Sequence, residues 1–175
     1  IRMIGAMIDI TRQEYLRAAL HKSEERLALA TQGSTDALWD GHRLPGRVIL
    51  DPENPIWWSA QIRSFLALDG SEPFDTIAHW AQQLHPDDAE QVFTALRDHF
   101  DHHQPFDVEY RIRTNRGDYR WLRGRGQAIW DAAGEPQRMS GSCQDITDRK
   151  VAELALQQRD RKSTRLNSSH LGISY

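Results

Sequence analysis

The stretch "FDVEYRIRTNRGDYRWLRGRGQAIWD" (106–131) decides the fold of this chain, because two alternating runs flank one short turn. Side chains of two kinds alternate in each run, which is the pattern of a strand with one buried face. The turn "NRGD" contains a glycine, as tight hairpin turns commonly do. The stretch therefore predicts a β-hairpin. Its predicted buried face consists of Phe106, Val108, Tyr110, Ile112, Leu122, Gly124, Gly126, Ala128 and Trp130.

The segments around the hairpin predict more strands and a layer of helices. A third strand, "QRMSGSCQDI" (137–146), follows the hairpin and runs directly into the charged helix "TDRKVAELALQQRDR" (147–161). Upstream, "HPDDAEQVFTALRDHFDHH" (85–103) predicts a helix with Pro86 at its first position. Two short strands ("DALWDGHRL", "IWWS") and two short helices ("AQIRSFLAL", "FDTIAHWAQQL") precede it. The long helix's predicted buried stripe is Phe93, Leu96 and Phe100. The order β-β-α-α-α-β-β-β predicts an α+β fold with helices on one face of an antiparallel sheet.

The junction between the last strand and its helix occurs twice. "RMIGAMIDITRQEYLRAAL" (2–20) and "RMSGSCQDITDRKVAELAL" (138–156) match at an offset of 136 residues (138 minus 2). In each copy Asp-Ile-Thr ends a strand and opens a helix, and Thr147 is suited to cap the second helix. We therefore expect residues 1–10 to end a preceding domain and residues 11–30 to form a connector helix.

The net charge, the apolar runs and the cysteine count limit the classes of protein to which this chain can belong. A net charge of −3 over 175 residues gives no whole-chain support for nucleic-acid binding. No apolar run approaches the roughly 20 residues that span a bilayer. The single cysteine, Cys143, excludes an internal disulfide and a cysteine metal cage, and it fits a reducing compartment, so we expect a cytoplasmic location. "KSTRLNSSHLGISY" (162–175) is rich in Ser and Asn and has no periodicity, and we expect it to be a non-native tail.

Several motifs occur in an order typical of one family: "ALWD", "WWS", "LHPDD", "FDVEYRIRT", "GDYRWLRGRGQA" and "GSCQDITDRK". On these motifs, residues 24–146 resemble a PAS domain of the PAS fold-3 type with a C-terminal PAC motif. Such domains occur in bacterial multi-domain sensor proteins, such as sensor histidine kinases and cyclic-di-GMP signalling proteins. The resemblance implies a five-stranded antiparallel sheet that cups a pocket, flanked by N- and C-terminal signalling helices. Residues 1–10 would then end a preceding PAS domain, and residues 147–161 would be the exit helix.

The resemblance also implies a sensory and dimerisation module. It would detect a small ligand, a redox state or a partner and relay the change through its C-terminal helix. We expect the output domain to be a histidine kinase in a phosphorelay, with a diguanylate cyclase or phosphodiesterase as the alternative, and a ligand-free spacer as a further alternative. The chain has no phosphate-binding loop, kinase His-box or Gly-Gly-Asp/Glu-Glu-Phe signature, so we predict no catalytic site within it.

The expected partners are a second copy of the chain and the adjacent PAS and output domains. The homodimer would form through the connector helices, along Leu16, Leu20, Leu27, Val151 and Leu154. The predicted signal-transfer point is Asp145, Ile146 and Thr147, where strand and helix are continuous. The candidate pocket residues are Trp39, Trp58, Phe65, Trp80, Phe93, Tyr110, Leu122, Gly124 and Gly126.

Two readings of the small-residue stripe remain open. Gly124, Gly126 and Ala128 would allow either the close approach of a ligand or the packing of a bulky ring such as Trp39 or Trp58.

We expect no cofactor, with flavin and haem as alternatives. His99 and His103 have a spacing that can hold a metal or haem, but the neighbouring Asp98 and Asp101 favour a solvated helix end. A Trp-lined pocket would suit a non-covalent flavin. The Asn-Cys-Arg motif of photosensory relatives is absent and Cys143 lies in the final strand, so covalent flavin photochemistry is not expected.

Arginines are concentrated in the hairpin. Most of them share the face opposite the apolar stripe, and we expect acidic residues of the connector helices to pair with them. We therefore do not expect nucleic-acid binding. They are Arg111, Arg113, Arg116, Arg120, Arg123 and Arg125.

Overall fold

The computed structural model describes residues 12–19, 21–22, 35–70 and 73–170, and it describes side chains as far as residue 159. The chain divides into two compact units, Ile1–Thr35 and Asp36–Tyr175. In the first unit, residues 12–19 and 21–22 are helical, within the predicted connector, and Tyr15 and Leu16 are exposed. The predicted strand at 1–10, and Leu20 and Leu27, lie outside the described residues.

The second unit contains one five-stranded antiparallel sheet. Its spatial order is β2-β1-β5-β4-β3, so the first and last strands of the unit are neighbours in its middle. The strands are β1 (Ala37–His42), β2 (Ile56–Trp58), β3 (Phe106–Arg113), β4 (Tyr119–Trp130) and β5 (Pro136–Asp145). The alternation of the hairpin therefore predicted two of the three long strands almost to the residue.

The second and third helices start where the sequence supplies N-terminal signals. The hydroxyl of Thr76 accepts a hydrogen bond from the His79 N–H at the start of the second helix. Pro86 occupies the first turn of the third helix, and Asp87 and Asp88 place negative charge at the positive end of its dipole. The helices are α1 (Ala60–Leu66), α2 (Ile77–Ala81), α3 (Pro86–His102) and α4 (Thr147–His170).

The core lies between the sheet and α1 to α3, which confirms the predicted α+β arrangement. All four apolar residues of the first hairpin run are buried, and Leu122 and Ala128 are buried on β4. On α3 the buried stripe differs from the prediction, because Phe93 is only partly buried and Val92 and His99 are buried instead.

One row of residues crosses all five strands on the core side. The register pairs Trp58 with Trp39, Trp39 with Gly141, Gly141 with Gly126 and Gly126 with Phe106. The two central glycines make room for the Trp39 ring, since a β-carbon at either one would lie 2.7 Å from that ring. The Trp39 ring also meets Phe106 edge to face, at 6.4 Å between centroids.

The exit helix α4 is longer than predicted. Its backbone remains helical to His170, past the expected end at residue 161 and into the segment expected to be a non-native tail. The chain has no glycine or proline between Thr147 and His170, so no helix breaker stops it. None of the helices among the described residues is both long enough and apolar enough to cross a bilayer.

The central glycine row predicts the effect of Gly141→Ala. The added β-carbon would overlap the carbonyl oxygen of Arg125, so we expect the free energy of unfolding to fall by about 3 kcal/mol or more. Gly41→Ala is the matched control, because its β-carbon would meet no atom closer than 3.6 Å. Urea denaturation of the two variants checks this, and equal stabilities would contradict the role of the row.

Candidate functional site

A cavity of about 60 Å³ lies between the core side of the sheet and the helices. Its wall is almost entirely apolar, which is typical of sites that bind small organic molecules. All five strands contribute lining residues, and so do α2, α3 and the segment between β1 and β2. The lining residues are Trp39, Gly41, His42, Ile49, Leu50, Ile56, Trp58, Ile77, Trp80, Leu96, Phe100, Phe106, Tyr110, Gly124, Met139 and Cys143.

The structure brings five of the nine candidate pocket residues together at this cavity: Trp39, Trp58, Trp80, Tyr110 and Gly124. The other four lie in the surrounding packing. Phe65 is partly buried against the core, Phe93 meets Trp80 at 5.9 Å between ring centroids, and Leu122 is fully buried. Gly126 lies under the Trp39 ring.

The two alternatives for the small residues of β4, a bordering cavity and a packed aromatic ring, therefore apply at different positions. At Gly126 the Trp39 ring fills the space, as the ring-packing alternative requires. At Gly124 the backbone borders the cavity, and the Tyr110 ring packs beside it.

Eleven of the sixteen lining residues were not among the predicted pocket residues, and two groups of them show why. Met139 and Cys143 lie on β5, four residues apart, and the period-2 rule applied to this strand would have placed them with Gly141 on the core face. Ile49 and Leu50 come from a stretch with three prolines and a glycine, and local sequence gave no signal that it folds over a cavity.

The cavity wall contains few polar groups. The indole N–H groups of Trp58 and Trp80 are buried and have no hydrogen-bond partner among the described residues. Burial raises the pKa of Tyr110, and the nearby Trp80 N–H acts in the opposite direction, although the two groups do not meet in a hydrogen bond of ordinary geometry. A buried donor without an acceptor costs about 1–3 kcal/mol.

Tyr110 and Cys143 are held in their neutral forms. Burial raises the pKa of the Cys143 thiol to about 12 and raises the pKa of Tyr110 well above its ordinary value. Their hydroxyl and sulfur atoms are 3.6 Å apart. A thiol this far from ionisation is a poor nucleophile, so Cys143 acts as an apolar part of the wall.

His99 is a core residue, so its interpretation as part of a solvated helix end was wrong. Its Nδ1–H donates to the Gln104 carbonyl at 2.5 Å, and its Nε2 accepts the Ala128 N–H at 3.0 Å. β3 begins at Phe106, opposite Gly126, so it does not extend as far as Ala128. The imidazole therefore supplies the hydrogen-bond acceptor that β3 does not provide. His103 is exposed at the end of α3.

The contacts of His99 do not suit an axial ligand of haem iron. Both ring nitrogens of His99 are occupied by backbone groups, so it has no lone pair to offer an iron atom. The cavity of about 60 Å³ is less than half of the roughly 150 Å³ that holds one benzene molecule. Among the described residues there is no cluster of three or more groups that could bind a metal ion.

The three predicted signal-transfer residues meet at the junction of β5 and α4. Asp145 accepts hydrogen bonds from the Thr147 N–H at 3.0 Å and the Thr147 hydroxyl at 2.6 Å, and Arg120 binds its other oxygen at 2.6 Å. The Thr147 oxygen accepts the Trp121 N–H at 3.0 Å. The predicted cap is therefore corrected: Asp145 caps the helix, while Thr147 joins it to β4.

The same junction determines the charge state of Asp145. Burial opposes its ionisation, and the hydrogen bonds from Thr147 and Arg120 outweigh burial, so the pKa of Asp145 lies below its ordinary value. Ile146 is buried, and its N–H donates to the Trp121 carbonyl at 2.9 Å. Ile146 is thus bonded to β4 through its backbone, and Thr147 is bonded to β4 through its side chain.

A second set of contacts runs from α3 to α4 across the hairpin. The carboxylate of Asp88 accepts three hydrogen bonds from Arg111, at 2.6 to 2.8 Å. Arg111 and Lys150 both lie over the Trp121 ring, at 5.3 and 5.0 Å from its centroid. Lys150 in turn pairs with Glu109 on β3 at 2.6 Å. We call these five residues the surface relay.

Four of the six hairpin arginines pair with carboxylates inside the domain. We expected carboxylates of the connector helices as their partners. In the described part of the chain the partner carboxylates lie on the sheet, on α3 and on the residue before β1. The pairs are Arg111 with Asp88, Arg120 with Asp145, Arg123 with Asp107 and Arg125 with Asp36.

Comparison with known proteins gives the family context. A family model described as PAS fold matches residues 55–143. The crystal structure of a sensory box histidine kinase/response regulator from Burkholderia thailandensis is 37% identical, with a TM-score of 0.66, over 80% of this chain and 98% of that chain.

Two curated relatives show the same pattern over part of their length. Sensor protein FixL of Bradyrhizobium diazoefficiens is 31% identical over 59% of this chain and 20% of its own. A blue-light-activated histidine kinase of Brucella ovis is 28% identical over 86% of this chain and 30% of its own. The chain spans about half the length, or less, of the curated relatives it matches.

The pair of Asp88 and Arg111 predicts a dependence of stability on pH. Hydrogen bonds from Arg111 hold the pKa of Asp88 below its ordinary value of 3.8, so the stabilisation is complete above that value and is lost as pH falls through the folded-state pKa. Asp88→Asn should lower the free energy of unfolding by about 2 kcal/mol at neutral pH.

Urea denaturation from about pH 7 to about pH 3 measures this. The stability difference between the wild type and Asp88→Asn should shrink toward the acidic end. Asp87→Asn is the control, because the Asp87 side chain is 75% exposed and should contribute less than about 1 kcal/mol. A difference between wild type and Asp88→Asn that is independent of pH would contradict the assignment.

Proposed function

This chain belongs to the PAS fold family, and on that premise we propose that it is a sensory module whose cavity controls the position of the helix starting at Thr147. The signal would be a small molecule taken up between the sheet and the helices. The change would pass through the exit helix to a downstream output domain.

One observation carries this proposal: β5 forms part of the cavity wall and leads directly into the exit helix. Met139 and Cys143 on β5 line the cavity, and Asp145 stands only two residues after Cys143. A shift of β5 on ligand uptake would therefore reach the helix cap directly. Because β5 is a central strand, paired on both sides with β1 and β4, such a shift also moves its neighbours.

The mechanism we propose is a population shift between two positions of α4. A ligand changes this equilibrium only as far as it binds one state better than the other. The Asp145 junction and the surface relay are the contacts that would differ between the two states, since they hold the first turn of α4 to the hairpin. Both consist of ion pairs and hydrogen bonds at the edge of the core, which rearrange more readily than packed apolar residues.

For the output we propose a histidine kinase in a phosphorelay, as the names of the Burkholderia and Brucella relatives suggest. A diguanylate cyclase or phosphodiesterase is the alternative. We also propose a cytoplasmic homodimer that forms through the connector and exit helices. On α4, Val151 and Leu154 are 60% and 52% exposed, which leaves apolar surface for a partner helix.

We favour a small ligand over both a cofactor and an empty spacer. The cavity argues against a spacer packed solid by its own side chains, and its volume and the contacts of His99 argue against flavin and haem. The purified chain should therefore show no flavin or Soret band in its visible absorption spectrum. Either band in protein purified without added cofactor would contradict the small-ligand proposal.

The Asp145 junction supplies the test of signal transfer. Asp145→Ala removes the cap of α4 and the partner of Arg120, so we expect altered kinase output in a chain that includes the output domain, with the domain still folded. Asp148→Ala is the control, because Asp148 is exposed in the same first turn. Autophosphorylation of the two variants measures the effect. Unchanged output in Asp145→Ala would refute the relay through this junction.

A further inference from the structure

The two buried indole N–H groups of the cavity wall define the chemistry of its ligand. Trp58 and Trp80 both line the cavity, and neither indole N–H makes a hydrogen bond of ordinary geometry in the described part of the chain. The Tyr110 hydroxyl is the acceptor nearest in effect to the Trp80 N–H, and the Trp58 N–H has no such neighbour among the contacts described. Buried donors in folded proteins nearly always have an acceptor. Two such donors at one apolar cavity point to an acceptor that arrives from outside the chain.

We propose that the cavity binds a compact, uncharged, mostly apolar molecule that carries a carbonyl-type oxygen, which accepts from the indole N–H groups of Trp58 and Trp80. This inference rests on the proposed sensory function and names its ligand class. Each part of the description follows from a separate feature of the wall.

The size of the ligand follows from the volume of the cavity. About 60 Å³ is less than half of the roughly 150 Å³ that accommodates one benzene molecule. The ligand is therefore a short chain or small branched molecule of about five non-hydrogen atoms.

The charge and polarity of the ligand follow from the groups that face it. Tyr110 and Cys143 stay neutral, because burial raises the pKa of each group. Among the residues that the structure describes, no Arg, Lys, Asp or Glu side chain lines the cavity, and of the lining residues only His42, on β1, can become cationic, so an anion would have no permanent cation beside it. The charged side chains of β3 and β4 form pairs such as Arg123 with Asp107. An ionised ligand would lose its hydration without compensation. An acceptor oxygen, in contrast, would satisfy the indole donors.

The experiment uses 2-butanone and 2-methylbutane, which have similar shapes but only one of which carries an oxygen. Proton–nitrogen NMR spectra of the chain resolve its indole N–H groups separately, and Trp→Phe variants assign them. We expect 2-butanone to move the Trp58 and Trp80 indole protons downfield in a saturable way, while the exposed Trp57 indole stays unchanged. The alkane should shift the methyl signals of Met139 and Ile56 without moving either indole proton downfield.

Variants give a second and independent readout. Trp58→Phe or Trp80→Phe keeps an aromatic ring but removes one donor, so each should weaken 2-butanone binding about five- to tenfold and leave alkane binding nearly unchanged. Trp57→Phe is the matched control, with unchanged binding of both probes. Amide spectra establish that each variant is folded, and if one is not, the other variant and the indole shifts of the wild type still decide the question.

Two results would overturn the inference. Equal binding of ketone and alkane, with no effect of either variant, would show a cavity without polar selection. Binding of neither probe would show that the cavity does not accept this class of molecule. Both leave the Asp145→Ala test of signal transfer standing, so failure of the ligand assignment is distinguishable from failure of the proposed function.

Discussion

The packing of one tryptophan ring over two glycines is the constraint on which the rest of this domain depends. Trp39 on β1 covers Gly141 on β5 and Gly126 on β4, in a row that crosses the whole sheet. Because the two glycines have no side chains, the Trp39 ring can lie across them and contact Phe106 on the edge strand β3. Trp39 and Phe106 both line the cavity, and Gly124 borders it with the Tyr110 ring packed beside it.

The position of β5 explains why this cavity and the exit helix belong together. β5 is paired on both sides, so it cannot shift without its neighbours, and its end continues into α4 through Asp145 and Ile146. The surface relay joins the start of α3 to the first turn of α4 on the other side of the hairpin. The exit helix therefore continues directly from a strand of the cavity wall, and it is linked to α3 through Trp121 and Arg111.

Sequence reasoning succeeded where the physical signal is local. Alternation predicted β3 and β4, and Pro86 with the two following aspartates predicted the start of α3. It was less successful where packing between distant segments decides the outcome. His99 is the clearest case, because its aspartate neighbours suggested exposure, whereas the end of β3 left a backbone N–H that only a buried imidazole could satisfy. The same applies to the loop residues Ile49 and Leu50 at the cavity.

The sequence by itself determined the element types, the antiparallel hairpin and the family resemblance, because strand alternation and helix caps depend on neighbours a few residues apart. Only the tertiary structure decided which candidate residues meet. It separated Gly124 at the cavity from Gly126 beneath Trp39, two positions that are equivalent in the alternation pattern. It also left the Trp58 and Trp80 donors without acceptors. These outcomes depend on which side chains from other strands occupy a shared volume, and that is set by the register of the whole sheet.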